Sequence, residues 1–156
     1  MATKKMAIIA SKGTLDMAYP PFILSSTAAA LGYEVQVFFT FYGLQLLRKD
    51  LSGVMISPLA NPAMPMPVPM PVMVQMLPGM ESMATMMMKA KLKKHGVASL
   101  QELRDLCLEA EVKFVACQMT VDLFEFEKSE FIDNVEYGGA ATFMEFAGEA
   151  DICLFI

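Results

Sequence analysis

Histidine and tryptophan are nearly absent from this chain of 156 residues, which has one histidine, His95, and no tryptophan. A Ser-His-Asp triad, a histidine-based zinc site or a Cys-His dyad would each have to use that one side chain. His95 follows a lysine-rich stretch at a predicted helix end, where a solvated capping residue is expected. The sequence therefore disfavours most hydrolase chemistry that depends on histidine.

Cysteine and positive charge are also scarce. The three cysteines, Cys107, Cys117 and Cys153, form no CxxC pair and no other metal-ligand spacing, so we predict free thiols and no metal or cofactor. Free thiols suggest a reducing cytoplasm, and residues 1–5 lead into a predicted strand without a signal-peptide core. A net charge of −5 gives no reason to expect nucleic acid as a partner.

Apolar residues are abundant instead. The chain is 55% hydrophobic and 19% charged, which is more apolar than a typical soluble domain. Its length fits one domain over residues 1–156, with an insertion rich in methionine and proline at about 58–95. The apolar excess predicts that part of the surface meets a membrane or another subunit, and we expect a homo-oligomer.

Short apolar runs alternate with segments suited to helices. We predict strands at residues 6–10, 34–40, 54–57, 112–116 and 152–156. We predict helices at 14–31, 43–49 and 99–110, and others from about 120 and from about 141, with a loop at 134–139. The alternation implies parallel strands joined by crossover helices. The predicted fold is a three-layer α/β/α sandwich of the flavodoxin-like kind, whose mostly parallel sheet has about five strands.

Capping signals support two of these helices. Thr14 and Gly32 flank the first helix as a cap and a stop, although Pro20 and Pro21 must fall near its first turns or break it. Ser99 and Glu102, three residues apart, form a capping box at the start of a later helix.

The middle segment, residues 51–88, is unusual because it holds most of the methionines and prolines but a single charged residue, Glu81. Proline at nearly every second position predicts an extended conformation over 58–71. Beyond it, methionines recur at intervals of three and four, which places them on one helical face. They are Met73, Met76, Met80, Met83 and Met87. Pro78-Gly79 predicts a kink or a helix start near Met80.

Several functions are compatible with this methionine segment. A core or subunit-interface helix is favoured, because methionine fills irregular packing and adaptable binding surfaces. Peripheral membrane contact is the next alternative, since Lys89, Lys91, Lys93 and Lys94 follow the apolar run and suit anionic headgroups. A transmembrane span fits poorly with the prolines. Copper(I) binding by thioethers is chemically possible, but the helical spacing fits packing better.

Cys117 is the leading candidate for chemistry because it lies between a predicted strand and a predicted helix. Ligands of open α/β folds bind at such carboxyl edges, and the ends of the first strand and of the Cys117 strand are expected to converge there. Lys12, Gly13 and Thr14 would then stabilise a thiolate at Cys117, which could attack sulfur. The alternative is that Cys117 is a small buried apolar residue.

The other candidates near this thiol are weaker. Cys107 lies on the apolar face of its predicted helix, where packing is favoured, but it could act as a partner thiol. Cys153 is predicted to be buried inside the last strand. Asp122 and Glu125 would follow a helix cap at Thr120 and would raise a neighbouring thiol pKa.

Several segments together resemble the DsrE/DsrF-like family, in its DsrE-type branch that is sometimes labelled peroxiredoxin-like. They are residues 8–16 (IIASKGTLD), residues 77–80 (LPGM) ahead of 86–89 (MMMK), and residues 116–122 (ACQMTVD). The resemblance covers essentially the whole chain. It implies a flavodoxin-like α/β fold, assembly into homo-oligomers and a role in intracellular sulfur trafficking.

The resemblance also assigns roles to residues. Cys117 matches the cysteine on which the family carries sulfane sulfur as a persulfide or a related adduct, for transfer to a small TusA-like carrier. From their positions at the strand ends, and not from the resemblance, Lys12, Gly13, Thr14 and Gln118 are the candidates to stabilise the anion. A peroxidatic cysteine would have threonine three residues before it, where this chain has Phe114, so peroxidase activity is not expected. The alternative is a non-catalytic oligomeric binding or scaffold protein that uses a methionine-rich interface or a peripheral membrane surface.

Overall fold

A five-stranded parallel sheet forms the centre of the computed structural model, which describes residues 2–56 and 72–156. Its strands are β1 (Lys5–Ala10), β2 (Glu34–Phe39), β3 (Lys113–Cys117), β4 (Val135–Gly138) and β5 (Ile152–Phe155). The strand order is β4-β3-β2-β1-β5, and every neighbouring pair is parallel. The predicted α/β fold with about five mostly parallel strands is confirmed.

Helices connect the strands. They are α1 (Leu15–Ala30), α2 (Val72–Gln75), α3 (Met80–Lys94), α4 (Leu100–Glu109), α5 (Gln118–Leu123) and α6 (Ala140–Ala147). Two 3-10 helices, Phe41–Leu47 and Lys128–Glu130, complete the described elements. α1 and α4 supply core residues to one face of the sheet, whereas α6 packs on the other face.

The alternation of side chains along each strand separates the core into two clusters. On the first face, the ring of Phe22 from α1 lies 6.0 Å from that of Phe39 and 5.8 Å from that of Phe114. On the second face, Phe143 of α6 stacks on Phe38 with ring centroids 4.9 Å apart. Because successive strand residues point to opposite faces, a shift of one residue decides which cluster a side chain joins.

The predicted cap positions are confirmed, although the Thr14 side chain makes no capping hydrogen bond. α1 begins after Thr14 and ends before Gly32, whose φ of +85° suits glycine. The capping box of α4 is complete, since the Glu102 amide donates to Ser99 Oγ at 3.2 Å and the Ser99 amide donates to the Glu102 carboxylate at 2.7 Å. α1 continues through Pro20 and Pro21, which lie inside the helix.

Two predictions at single elements are wrong. Residues 134–139 were expected to be a loop, but Val135–Gly138 pairs with β3 as a short strand at the edge of the sheet. The predicted strand at 54–57 is not formed over residues 54–56, and Ser57 lies outside the described residues. The Ile56 amide donates instead to Thr85 Oγ1 of α3 at 3.0 Å, so this apolar run packs under a helix.

The structure divides the methionine segment. The predicted extended stretch, 58–71, lies outside the described residues, whereas the predicted helix start at Met80 is confirmed after Gly79, whose φ is +90°. Most methionines of α2 and α3 are exposed, so packing inside the chain's own core does not explain them. Within residues 2–56 and 72–156, no helix combines the length and the hydrophobicity that crossing a bilayer requires.

Candidate functional site

Cys117 is the last residue of β3 and the N-cap of α5. Its side chain is 5% exposed and joins the second cluster with Phe38, Val115 and Phe143. The paired position on β4 is Gly138, which adds no side chain beside the sulfur. The thiol is therefore buried at the carboxyl edge of the sheet, where ligands of open α/β folds bind.

Two threonines form a hydroxyl pair next to Cys117. Thr120 is fully buried, and its Oγ1 lies 3.3 Å from Oγ1 of Thr40, which follows β2. The backbone amide of Phe41 donates to Thr120 Oγ1 at 3.2 Å. Because Thr120 Oγ1 already accepts this bond, its own proton is available for a neighbouring acceptor.

The surroundings lower the pKa of the Cys117 thiol below its ordinary value. Burial opposes ionisation most strongly, but hydrogen bonding from Thr120, through its hydroxyl and its amide, outweighs it together with the Thr40 hydroxyl and the Met119 amide. Hydrogen bonds that favour the charged form of an acid lower its pKa. The thiolate is the nucleophilic form, so this environment favours attack on sulfur.

The sequence prediction missed Thr40 and Phe41. Phe41 has a φ of +48°, a left-handed conformation that is rare for a bulky residue, and it turns the chain directly after β2. This turn lets the Phe41 amide reach Thr120. The sequence did show Thr40 at the end of a predicted strand. Only the strand order, however, places that strand end beside Cys117.

The Lys12–Thr14 loop occupies a different part of the same edge. β2 lies between β1, which this loop follows, and β3, which ends in Cys117, so the two strand ends that were expected to converge are not neighbours in the sheet. The loop borders a cavity of about 620 Å³ together with Asp16, Met17, Tyr42 and Gln45. In the described part of the chain, Lys12 is not among the groups that lower the pKa of Cys117.

Gln118 and Thr120 also differ from expectation. The Gln118 side-chain amide donates to the Asp122 carboxylate at 2.7 Å, so it is directed along α5. Thr120 was expected to cap the helix, but α5 begins at Gln118 and Cys117 is the cap. The Thr120 hydroxyl is free of that role and takes part in the pair beside the thiol.

Cys107 lies on the opposite face of the sheet from Cys117. It is fully buried in α4, where its Sγ donates to the Phe22 carbonyl at 3.3 Å and lies 3.3 Å from Ser25 Oγ. Burial raises the pKa of this thiol despite the hydrogen bonding around it. Since the sheet separates the two sulfurs, Cys107 packs α4 against α1, and the geometry does not support a role as the partner thiol of Cys117.

Cys153 was predicted to be buried, and this is wrong. It lies on β5, an edge strand, and its side chain is exposed. The apolar run 152–156 suggested a central strand, but among the described strands it lies at an edge and pairs with β1 alone. In the ranges 2–56 and 72–156, no three His, Cys, Asp or Glu side chains come together as metal ligands would.

Exposed apolar side chains lie on the two segments that meet beside Cys117. They are carried by the 3-10 helix after β2 and by α5 and its end, and we call them the thiol rim: Phe41, Tyr42, Met119, Leu123 and Phe124. Tyr42 stacks on Phe124 with ring centroids 6.0 Å apart. Exposed aromatic and methionine side chains in one place are typical of a binding surface.

This chain is similar to known proteins over essentially its whole length. It is 68% identical to the sulfur carrier protein DsrE2 of Allochromatium vinosum over the full length of both chains. It is 32% identical to the protein YrkE of Bacillus subtilis, with 99% of this chain and 98% of YrkE covered.

The ychN protein of E. coli has a similar fold, with a TM-score of 0.57 and 12% identity over 99% of this chain and 100% of that one. The sequence model of the DsrE/DsrF/DrsH-like family matches residues 2–155. This chain therefore belongs to the DsrE/DsrF/DrsH-like family.

Proposed function

We propose that this protein is a sulfur carrier in an intracellular sulfur relay and that Cys117 holds the mobile sulfur as a persulfide. The observation that carries the proposal is the position of the Cys117 thiol at the carboxyl edge of the sheet beside the paired hydroxyls of Thr40 and Thr120, where hydrogen bonding lowers its pKa against the effect of burial. The 68% identical relative is named a sulfur carrier protein, which supports the same role here.

The proposed chemistry needs no cofactor. The Cys117 thiolate attacks the outer sulfur of a donor persulfide, a new S–S bond forms, and the donor S–S bond breaks to release the donor thiolate. The proton on the outer sulfur stays with it or exchanges with water. An acceptor thiolate then attacks the outer sulfur of the Cys117 persulfide and releases the Cys117 thiolate. No electrons are gained or lost overall, because each step exchanges one S–S bond for another.

Sulfur transfer of this kind requires a partner thiol that reaches a buried sulfur. We propose a small TusA-like carrier protein as the donor or acceptor, acting in the cytoplasm, where free thiols such as Cys107, Cys117 and Cys153 persist. We also propose that the protein is a homo-oligomer, which its exposed apolar surface supports.

The Lys12–Thr14 loop is proposed to attract an anionic sulfur donor. It does not act by direct contact with the Cys117 thiolate. Lys12 and Thr14 border the 620 Å³ cavity at the carboxyl edge, and the exposed lysine adds a positive charge there. An anionic donor such as thiosulfate or tetrathionate would be attracted to this charge. Lys12→Met is expected to slow loading from these anions, with Lys49→Met as the control.

Mass spectrometry of the intact protein after incubation with polysulfide tests the role of Cys117. We expect an added sulfur, mapped by peptide analysis to Cys117, and no such adduct in Cys117→Ser. The matched control is the variant with Cys107→Ser and Cys153→Ser, which keeps Cys117 and should load normally. If Cys117→Ser gains sulfur as fast as the wild type, the proposal is wrong.

A further inference from the structure

A second exposed apolar surface lies on the helices that follow the segment 57–71. We call it the methionine face, and it consists of the exposed residues Met73, Met76, Leu77, Met83, Met86 and Met87. The inner side of α3 is anchored to the domain, since Thr85 is buried and its Oγ1 accepts the Ile56 amide at 3.0 Å. The methionines therefore project from a helix whose other side is held in place.

Charge distinguishes the methionine face from the thiol rim. The C-terminal half of α3 carries four exposed lysines: Lys89, Lys91, Lys93 and Lys94. The α5 side of the thiol rim is instead bordered by exposed carboxylates on α5 and just beyond it, Asp122, Glu125 and Glu127, whereas Lys12 lies near Tyr42 at the other side. The lysine border of α3 and the carboxylate border on the α5 side of the rim are thus opposite in sign, which is the arrangement expected of complementary partners.

We propose that the methionine face of one chain docks on the thiol rim of a second copy, so that the neighbour's methionines cover the approach to Cys117. The methionines contact Phe41, Tyr42, Met119, Leu123 and Phe124, and the lysines of α3 lie beside the carboxylates of the second copy. Methionine suits this contact because its flexible thioether packs well against aromatic edges.

This contact uses different surfaces on the two chains. Such a head-to-tail contact closes into a ring when its rotation permits and otherwise extends as a filament. In a ring, every Cys117 is covered by the next subunit, so the neighbour contributes side chains to each site. The assembly itself does not require sulfur transfer. Only the purpose of the contact, which is to shield Cys117, rests on the proposed role of that residue.

Charge reversal with rescue tests the contact, by sedimentation of the full-length protein. One variant carries Lys91→Glu and Lys94→Glu, another carries Asp122→Lys and Glu125→Lys, and a third carries all four changes. We expect wild-type assembly, dissociation of each single-side variant, and assembly of the four-fold variant, in which the reversed charges again match. The control, Lys4→Glu with Glu145→Lys, changes exposed charges outside both surfaces and should assemble as the wild type does.

The lysine changes could disrupt assembly by unfolding α3, so a further variant tests the contact without changing that helix. Leu123 is 60% exposed, so Leu123→Asn should leave the single chain folded by circular dichroism and still dissociate the assembly. In the dissociated variants, a bulky maleimide should modify Cys117 several-fold faster than in the wild type. Persulfide loading of Cys117 by small polysulfides should persist in all of them, which separates this test from that of the proposed function.

Three outcomes would overturn the contact. The first is a wild-type protein that sediments as a monomer, and the second is a single-side variant or Leu123→Asn that still assembles like the wild type. The third is binding of the monomer to vesicles of anionic phospholipid that is lost in Lys91→Glu with Lys94→Glu. That result would assign the methionine face to a membrane surface instead of a second copy.

Discussion

The hydroxyls of Thr40 and Thr120 lie 3.3 Å apart and belong to chain segments 80 residues apart in the sequence. Thr40 follows β2, whereas Thr120 is in the first turn of α5, directly after the strand that ends in Cys117. Hydrogen bonding from both hydroxyls helps lower the pKa of the Cys117 thiol against the opposing effect of burial. This pair therefore connects the packing of two neighbouring strand ends to the reactivity of the thiol.

Thr120→Val should raise the pKa of Cys117, because it removes a hydroxyl that favours the thiolate while keeping the shape of the side chain. The rate of Cys117 alkylation by iodoacetamide, followed against pH, should rise at higher pH than in the wild type. Thr120→Ser keeps the hydroxyl and serves as the control. An alkylation profile of Thr120→Val that overlies the wild type would contradict this account. The variant also leaves the Phe41 amide without its acceptor, which should cost about 1–3 kcal/mol of stability.

The two buried thiols should differ sharply in reactivity. In a Cys153→Ser background, we expect iodoacetamide to modify Cys117 in the folded protein and to modify Cys107 only after unfolding. The reason is that burial raises the pKa of Cys107, whereas the pKa of Cys117 is lowered. Peptide mapping after timed labelling in buffer and in denaturant gives the measurement. A disulfide between Cys107 and Cys117 under mild oxidation would contradict their placement on opposite faces of the sheet.

Arg104 should be a stability determinant that sequence patterns do not identify. Its guanidinium is almost fully buried and donates to the carbonyls of Leu46 and Arg48 at 2.9 and 2.5 Å and to Gln101 Oε1 at 3.0 Å. Arg104→Met fills the space but leaves buried carbonyls without donors, so we expect a loss of about 3 kcal/mol in urea unfolding. Gln101→Ala, which removes only one acceptor, should cost clearly less. An equal loss in the two variants would show that the carbonyl contacts contribute little.

Gly43 should not tolerate a side chain. A Cβ at this position would collide with the backbone carbonyl of Ala10, at the end of β1. Gly43→Ala should therefore push the 3-10 helix away from the sheet, lower the melting temperature and disturb the rim residues Phe41 and Tyr42. Gly53→Ala, where an added Cβ meets no neighbour, is the matched control. Equal melting temperatures for the two variants would mean that the close approach relaxes without cost.

The capping box of α4 should make stability depend on pH in acid. The Ser99 amide, and to a smaller extent its side chain, lowers the pKa of Glu102 by hydrogen bonding. A carboxyl group whose pKa is lowered in the folded state stabilises the protein at any pH above the pKa that the group has in the unfolded chain. That stabilisation is lost as the pH falls through the lowered, folded-state pKa. Glu102→Gln should melt below the wild type at neutral pH, and the two should converge in acid. Glu109→Gln, at the other end of α4, is the control. A gap that stays constant down to strong acid would contradict this assignment.

Most of the fold was predictable because it depends on local signals. Short local signals mark these elements: the apolar runs, the cap at Ser99, the stop at Gly32 and the helix start after Gly79. The corresponding elements formed where expected. The errors fell on short segments. Val135–Gly138 has weak strand character but gains hydrogen bonds from β3, while residues 54–56 are strongly apolar but pack under α3. Tertiary contacts decide such short runs, because local propensity contributes little over three or four residues.

One residue of the candidate site, Cys117, was predictable from the sequence, but the residues around it were not. Cys117 was identified because its position between a strand and a helix is visible in the sequence. Its neighbours depend on which strands are adjacent, and the order β4-β3-β2-β1-β5 places the end of β2 beside it and the end of β1 one strand further away. Thr40 is therefore in the site, whereas the Lys12 loop borders a separate cavity.

By itself, the sequence determined a parallel α/β domain and placed a candidate reactive cysteine at a strand end. It also showed a single histidine and an excess of apolar residues that includes sixteen methionines. Only the tertiary structure decided that Cys107 and Cys117 face opposite sides of the sheet and that threonine hydroxyls, rather than Lys12, favour the thiolate. It also decided that Met83, Met86 and Met87 of α3 face outward, whereas Met88 packs against the core. The physical reason is that hydrogen bonds and burial depend on which segments become neighbours, and strand order sets those neighbours.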